Sequence, residues 1–156
     1  APFDVLAEAL VGQVAAPALG DACLSLCAGS FVVLRAPGAR VSEVFAHRDW
    51  DVPELPPRSA FTALVPLVLP AGSAGLEVFD GEGHLQGVAD YALGEAIAFD
   101  NMLLHRTQPG PSATRILASL SFAPTTTELW PAAERVLRAQ TPSFYRAPGG
   151  AAVPRS

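Results

Sequence analysis

Residues 45–52 read "FAHRDWDV" and place one of the chain's three histidines, His47, two positions before Asp49. On an extended strand residues i and i+2 point to the same side, so this imidazole and this carboxylate can aim at one point. A second stretch, "GEAIAFDNMLLHRTQPGPSATR", holds His105 on a short strand, with Leu103 and Thr107 on its face, and ends at Arg115. Two imidazoles and one carboxylate on one face of an octahedron form a donor set of non-haem iron(II), with three positions left open. Dioxygen and an oxidisable cosubstrate can then both coordinate, which a closed four-ligand zinc site does not allow. Trp50 is a candidate wall of the substrate entrance, with packing on "VPELPP" as the alternative. Arg58 is a candidate partner for a substrate carboxylate, against a plain loop charge. His84 follows a "DGEG" turn and is expected to be exposed. Arg48 and Arg106 each neighbour a ligand, so on regular strands they point away from it.

The elements that must position these groups are mostly strands. From residue 30 onward, "SFVVLR", "VSEVFAH", "AFTALVPLVL", "GLEVF", "HLQGV", "EAIAF", "MLLHR" and "RILASLSF" alternate with "APGA", "PAGSAG", "DGEG" and "FDN". Short β-rich runs at this density, separated by residues that tolerate tight turns, predict an antiparallel sandwich or barrel. Ahead of them, Leu6, Leu10 and Val14 lie at helical spacing behind Asp4, a possible cap, and Pro17 and Gly20 end the segment. After Phe122, "TTTELWPAAERVLRAQ" predicts a C-terminal helix, and "TPSFYRAPGGAAVPRS" a frayed tail. The expected division is a helical segment at 1–29, a β core at 30–124, a helix at 125–140 and a flexible tail at 141–156.

The last strand separates two faces. Arg115, Leu117, Ser119 and Ser121 share one, and Ile116, Ala118, Leu120 and Phe122 the other. The apolar face needs a cover, for which the two helices are the candidates. The arginine face then looks inward, where a guanidinium costs several kcal/mol unless an anion meets it. Arg115 therefore sits either at a wet rim or beside a negative partner.

Composition narrows the remaining possibilities. A chain of 156 residues is one domain with room for a real core. Half the residues are hydrophobic and 16% are charged. No run approaches the ~20 apolar residues of a membrane helix, so a soluble domain without a membrane partner is expected. The net charge is −5, all ten basic residues are arginines, and no basic patch is present to attract nucleic acid. Cys23 and Cys27, spaced i, i+4, match neither a zinc ligand pair nor a secreted disulfide framework. They read as buried thiols in a reducing, cytoplasmic compartment. Ala1 is not preceded by a basic region and Glu8 interrupts the apolar run, so no signal peptide is expected, and the chain has the look of an excerpt. The sequence is silent on oligomeric state.

His47 and Asp49 after an early strand, His105 on a later one and Arg115 ten residues beyond it together resemble the iron(II) and 2-oxoglutarate-dependent oxygenases. The resemblance covers about residues 30–124. It implies a mainly β double-stranded β-helix, the cupin-like jelly roll, with flanking N- and C-terminal helices. The strands of His47, His105 and Arg115 would then be the second, seventh and eighth of the core. "LVGQVAAPALG", "GLEVFDGEGHLQGV" and "RILASLSFAP" are similar to the isopenicillin N synthase-like branch, and "GEAIAFDNMLLHR" to the phytanoyl-CoA dioxygenase-like branch. Two features depart from the pattern. An R-x-S motif would put serine at Leu117, so the hydroxyl beside the arginine has to come from Ser119, Ser121 or Thr62. The N-terminal half of the isopenicillin-like branch has no counterpart.

The resemblance implies a role for each residue. His47, Asp49 and His105 hold Fe(II), 2-oxoglutarate chelates it, and Arg115 meets the far carboxylate of the cosubstrate. With O2, and ascorbate as an accessory reductant, the reaction hydroxylates an unactivated C–H bond of a small organic substrate and releases succinate and CO2. Desaturation or ring closure remain open outcomes, and the presence of Asp49 speaks against a halogenase. Two alternatives stand beside this dioxygenase. One is a non-catalytic jelly-roll module that binds a metal or small ligand, and the other an isopenicillin synthase-type oxidase that needs no 2-oxoglutarate.

Overall fold

The computed structural model describes residue 9 and residues 24–34, 45–73, 75–108 and 114–140, together with the backbone of 144–146 and 152–154. Its strands are β1 (Leu24–Leu34), β2 (Phe61–Val68), β3 (Leu76–Phe79), β4 (Leu85–Ala89), β5 (Ile97–Asp100), β6 (Leu104–Thr107) and β7 (Arg115–Pro124). Helix α1 (Trp130–Gln140) follows, then β8 (Phe144–Arg146) and β9 (Ala152–Pro154). The chain is mainly β, with a sheet in the order β1-β7-β2-β5 and a second in the order β4-β3-β6. All these pairings are antiparallel. His47 extends the second sheet by an antiparallel bridge to His105.

The inner and outer faces follow the period of two. Register sets Ser121 opposite Thr62 and Ser119 opposite Leu64 on β2, and Leu117 opposite Val32 on β1. Arg115, Leu117, Ser119 and Ser121 thus share one face, as expected. Leu117 packs with Leu64 and Phe99 of its own sheet and with Leu76 of the other, so this face looks into the space between the sheets. Each such buried side chain contributes roughly 1.5–3 kcal/mol. On the opposite face Leu120 and Phe122 are buried with Phe61 and Ala63, and the Phe61 and Phe122 rings stack at 4.4 Å.

Local chemistry explains the irregular points. Pro66 has no N–H to give, and it falls where the β2–β7 register shifts, beyond Leu64, the last β2 residue paired to β5. The β3–β4 hairpin turns through Gly83 at φ 88°, and Asp80 accepts from the backbone N–H groups of Glu82 and His84 at 2.9 Å each. At Gly75 a Cβ would run into the carbonyl of Ala89.

Three expectations change. β1 reaches back to Leu24, so residues 24–29 are strand and not part of a helical segment. The reason is that β7 continues to Pro124 and supplies backbone partners for them. The expected helix through Leu6, Leu10 and Val14 lies outside the described residues, as does Cys23. α1 buries Ala133, Val136 and Leu137 at i, i+3, i+4 spacing, but against Cys27, Trp50, Val52, Leu55, Ala60 and Ala123, not against Leu120 and Phe122. Within the segment read as a tail, β8 pairs antiparallel with β9. Among the described residues no helix is long and apolar enough to cross a membrane.

Candidate metal centre

The two histidines are brought together by backbone pairing. His47 N donates to His105 O and His105 N to His47 O, both at 2.9 Å, which sets the side chains on one face of the sheet. Their rings stand 4.6 Å apart between centroids. Asp49 follows two residues on, and the Trp50 N–H donates to the carbonyl of Asn101 at 3.0 Å, fixing the chain just beyond the carboxylate. Asp49 Oδ1 lies 3.6 Å from Nε2 of His47 and 3.6 Å from Nε2 of His105. One donor atom from each of the three residues falls within 4.8 Å of the others. Cis ligands on an octahedron with bonds of about 2.1 Å are about 3.0 Å apart, so a cation shortens the two Asp49 distances by about 0.6 Å and the separation of the two imidazole nitrogens by up to about 1.8 Å.

Hydrogen bonds aim the ligand atoms. The Nδ1 of His47 is 2.9 Å from the carbonyl of Phe45, and the Nδ1 of His105 is 2.9 Å from that of Leu103. Each Nδ1 therefore carries the proton and leaves the Nε2 lone pair facing Asp49. Thr62 Oγ1 donates to Asp49 Oδ2 at 2.6 Å. His105 is 4% exposed, and its ring lies 4.5 Å from that of Phe99. The His47 side chain is half exposed, so the centre has a dry side and an open side.

The titration preferences of His105 and Asp49 suit a cation, whereas His47 holds its proton more tightly than a free imidazole. Burial pushes the His105 imidazolium below its ordinary value, against the Leu103 carbonyl and the Asp49 charge, so the ring is neutral near pH 7. Asp49 favours the imidazolium form of His47, in which Nε2 also carries a proton, and so raises its pKa despite partial burial; a metal ion would take the place of that proton. For Asp49 burial acts upward, but the bonds from His47 and Thr62 and the histidine charges outweigh it and keep the carboxyl below its usual range.

Arg115 is 2% exposed, and its Nη2 donates to the carbonyl of Gln108 at 2.5 Å. Burial lowers its pKa, and the nearby Tyr91 phenol acts in the opposite sense. Tyr91 is itself raised by burial, with its hydroxyl 3.3 Å from Thr107 Oγ1. Thr107 shares the inward face of β6 with His105, about 6.6 Å further along by strand rise. A buried cation thus lies on the inward face of β7, under the electrostatic influence of Tyr91.

The other expected site residues are distributed as follows. Trp50 does not wall an entrance, because it is 2% exposed and packed with Val52, Leu55 and Leu137 in the cluster under α1. Thr62 is committed to Asp49 rather than to Arg115. Ser119 and Ser121 are half-buried on the inward face, but Ser119 is about 13 Å along the strand from Arg115, with Leu117 between them. The Tyr91 phenol, 3.3 Å from Thr107 Oγ1, is the polar group whose charge bears on the guanidinium. Arg58 is exposed, has φ 64°, and its N–H donates to Asp100 Oδ2 at 2.7 Å. Arg48 turns away from the centre and donates to the carbonyl of Met102 at 3.0 Å. Arg106 pairs with Glu77 and lies over the Phe79 ring at 5.3 Å, and His84 is a solvated turn residue beside Asp80.

Sequence reasoning missed Tyr91 and Asn101. Asn101 was read only as part of the "FDN" turn, yet it has no exposed surface and lies 2.7 Å from Thr62. A polar residue buried at a turn leaves no periodic trace in the sequence. Thr107 was already legible on the face of His105 by its i+2 relation.

No protein-family model matches the chain, and no curated protein does. Among solved structures its fold is similar to that of AviO1 from Streptomyces viridochromogenes Tue57, at 19% identity and a TM-score of 0.61, over 77% of this chain and 59% of that one. It is also similar to EvdMO1, at 21% identity and a TM-score of 0.60, over 77% of this chain and 32% of that one. The chain thus spans less than two thirds of either neighbour, and at such identities the likeness is one of fold.

Proposed function

We propose that this chain is the jelly-roll core of a non-haem Fe(II) and 2-oxoglutarate-dependent dioxygenase that hydroxylates a C–H bond of a small organic substrate. The observation that carries the reading is the convergence of His47 Nε2, His105 Nε2 and Asp49 Oδ1, with a buried arginine on the inward face of β7. Two antiparallel sheets, β1-β7-β2-β5 and β4-β3-β6, with the His47 segment bridged to β6, support a double-stranded β-helix in which that segment would serve as the second strand. When bound, Fe(II) with 2-oxoglutarate and O2 supplies the oxidation, placing one oxygen atom on the substrate and the other in succinate as CO2 leaves.

The chain's own residues supply binding and orientation. His47, Asp49 and His105 hold the metal and leave open positions on the exposed side. The Arg115 guanidinium holds the far carboxylate of the cosubstrate, with the Tyr91 and Thr107 hydroxyls donating alongside. Leu64, Leu76, Phe99 and Leu117 exclude water from the chain between. Arg58, exposed and pinned by Asp100 one residue before Asn101, is the cation we assign to a substrate carboxylate.

Aerobic incubation of the iron-loaded protein with 2-oxoglutarate and ascorbate tests the reading. Succinate should accumulate above the metal-free protein and above Asp49→Ala. Product formed from a substrate without succinate would instead establish an oxidase that needs no cosubstrate.

A further inference from the structure

We propose that Thr62 and Asn101 are positioning residues that confine Asp49 to one ligand oxygen, Oδ1, and so keep the third open position of the metal centre available. This rests on the assignment of His47, Asp49 and His105 as metal ligands. The Thr62 hydroxyl lies 2.6 Å from Asp49 Oδ2 and 2.7 Å from the Asn101 amide. A hydroxyl has one proton to give, and an ionised carboxylate can only accept. The proton therefore goes to Asp49, and the remaining contact requires the amide to donate. A half-turn of the Asn101 carboxamide places its NH2 against Thr62 Oγ1. That orientation also provides for Nδ2, which otherwise has no hydrogen-bond partner inside a fully buried residue.

The backbone of Asn101 holds the amide at a set position. Its N–H donates to Ala60 O at 3.2 Å, next to the start of β2, and its carbonyl accepts from Trp50 N, next to Asp49. A chain of donors thus runs from Asn101 through Thr62 to Asp49 Oδ2, while Oδ1 faces both imidazoles at 3.6 Å. A carboxylate with two uncommitted oxygens can bind a cation through both. With Oδ2 engaged it binds through one. With one oxygen from Asp49 and two imidazoles, a six-coordinate ion would keep three positions free for a chelating cosubstrate and dioxygen, and a second carboxylate oxygen would remove one of them.

Cobalt(II) replaces iron as an air-stable reporter, read by its affinity for the metal-free protein and by its visible d–d spectrum, which follows coordination number. Thr62→Val should weaken Co(II) and Fe(II) binding by about 10–100-fold and alter the cobalt spectrum, as losing a hydrogen bond to a metal ligand does. Thr62→Ser, which keeps the hydroxyl, should match the parent in both. Asn101→Leu should shift both readouts in the same direction as Thr62→Val but less. If Thr62→Val does not fold, Thr62→Ala is read in the same way. His105→Ala separates the two levels of the claim. Loss of metal there, with parental affinity and spectrum in the Thr62 variant, overturns the relay and leaves the triad standing. Metal retained by His105→Ala overturns the triad itself.

Discussion

The backbones of His47 and His105 donate to each other's carbonyls at 2.9 Å in both directions, so two residues far apart in sequence stand directly opposite on one face of the sheet. This reciprocal pair, rather than any flexible loop, sets the spacing of the two Nε2 atoms. A one-residue slip of β6 would turn His105 outward. The candidate metal centre is thus as well defined as the strand register beneath it.

Purified anaerobically with iron(II), the protein should hold about one equivalent. His47→Ala and His105→Ala should each lose most of it, measured by metal analysis after gel filtration. Equal metal content in parent and variants would contradict the ligand assignment.

Arg115→Leu should weaken 2-oxoglutarate binding by about two orders of magnitude, or about 2.8 kcal/mol, while iron content stays near the parental level. Arg115→Lys should fall between, since it keeps the charge and loses the planar fork. Tyr91→Phe should cost about tenfold by removing one hydroxyl. Calorimetric titration of the iron-loaded variants checks the order, and an unchanged affinity in a folded Arg115→Leu protein would contradict it.

Trp50→Ala should destabilise the fold by about 3–5 kcal/mol, because the indole is packed in the cluster under α1. Urea unfolding measures this. An entrance residue would instead leave stability nearly unchanged and alter substrate affinity.

Glu77 is held below the ordinary carboxylate range by its bonds from Arg106 and Gln108. A depressed pKa contributes stability that is fully present above the unfolded value, near 4.5, and is lost as pH falls through the folded value. The stability gap between the parent and Glu77→Gln should therefore be largest near pH 7 and narrow below about pH 4.5, followed by urea unfolding across that range. A gap independent of pH would contradict the ion pair's contribution.

The parts of this architecture that repeat along the chain were legible in the sequence. Alternation in "RILASLSF" separated the inward Arg115 from the outward Ile116, and the i, i+2 relation joined His47 to Asp49. For Trp50 the sequence left an entrance wall and packing on "VPELPP" open, because a single aromatic in a proline-rich loop has no period, and the structure packs it with Val52 and Leu55 under α1. Residues 24–29 read as non-strand because Gly29 and the serines have weak strand preference, yet pairing to β7 overrides it. Tyr91 and Asn101 owe their positions to contacts between distant segments, which no local spacing encodes.

One iron, held by His47, Asp49 and His105, should present open positions to a keto acid anchored by Arg115. Anaerobic addition of 2-oxoglutarate to the iron(II) protein tests it most directly, through the weak visible charge-transfer band of the chelate. The account predicts a band that saturates near one equivalent of iron, is absent from His105→Ala, and requires about a hundredfold more 2-oxoglutarate in Arg115→Leu. A protein that binds one iron through these three residues and shows no band at saturating 2-oxoglutarate would contradict it.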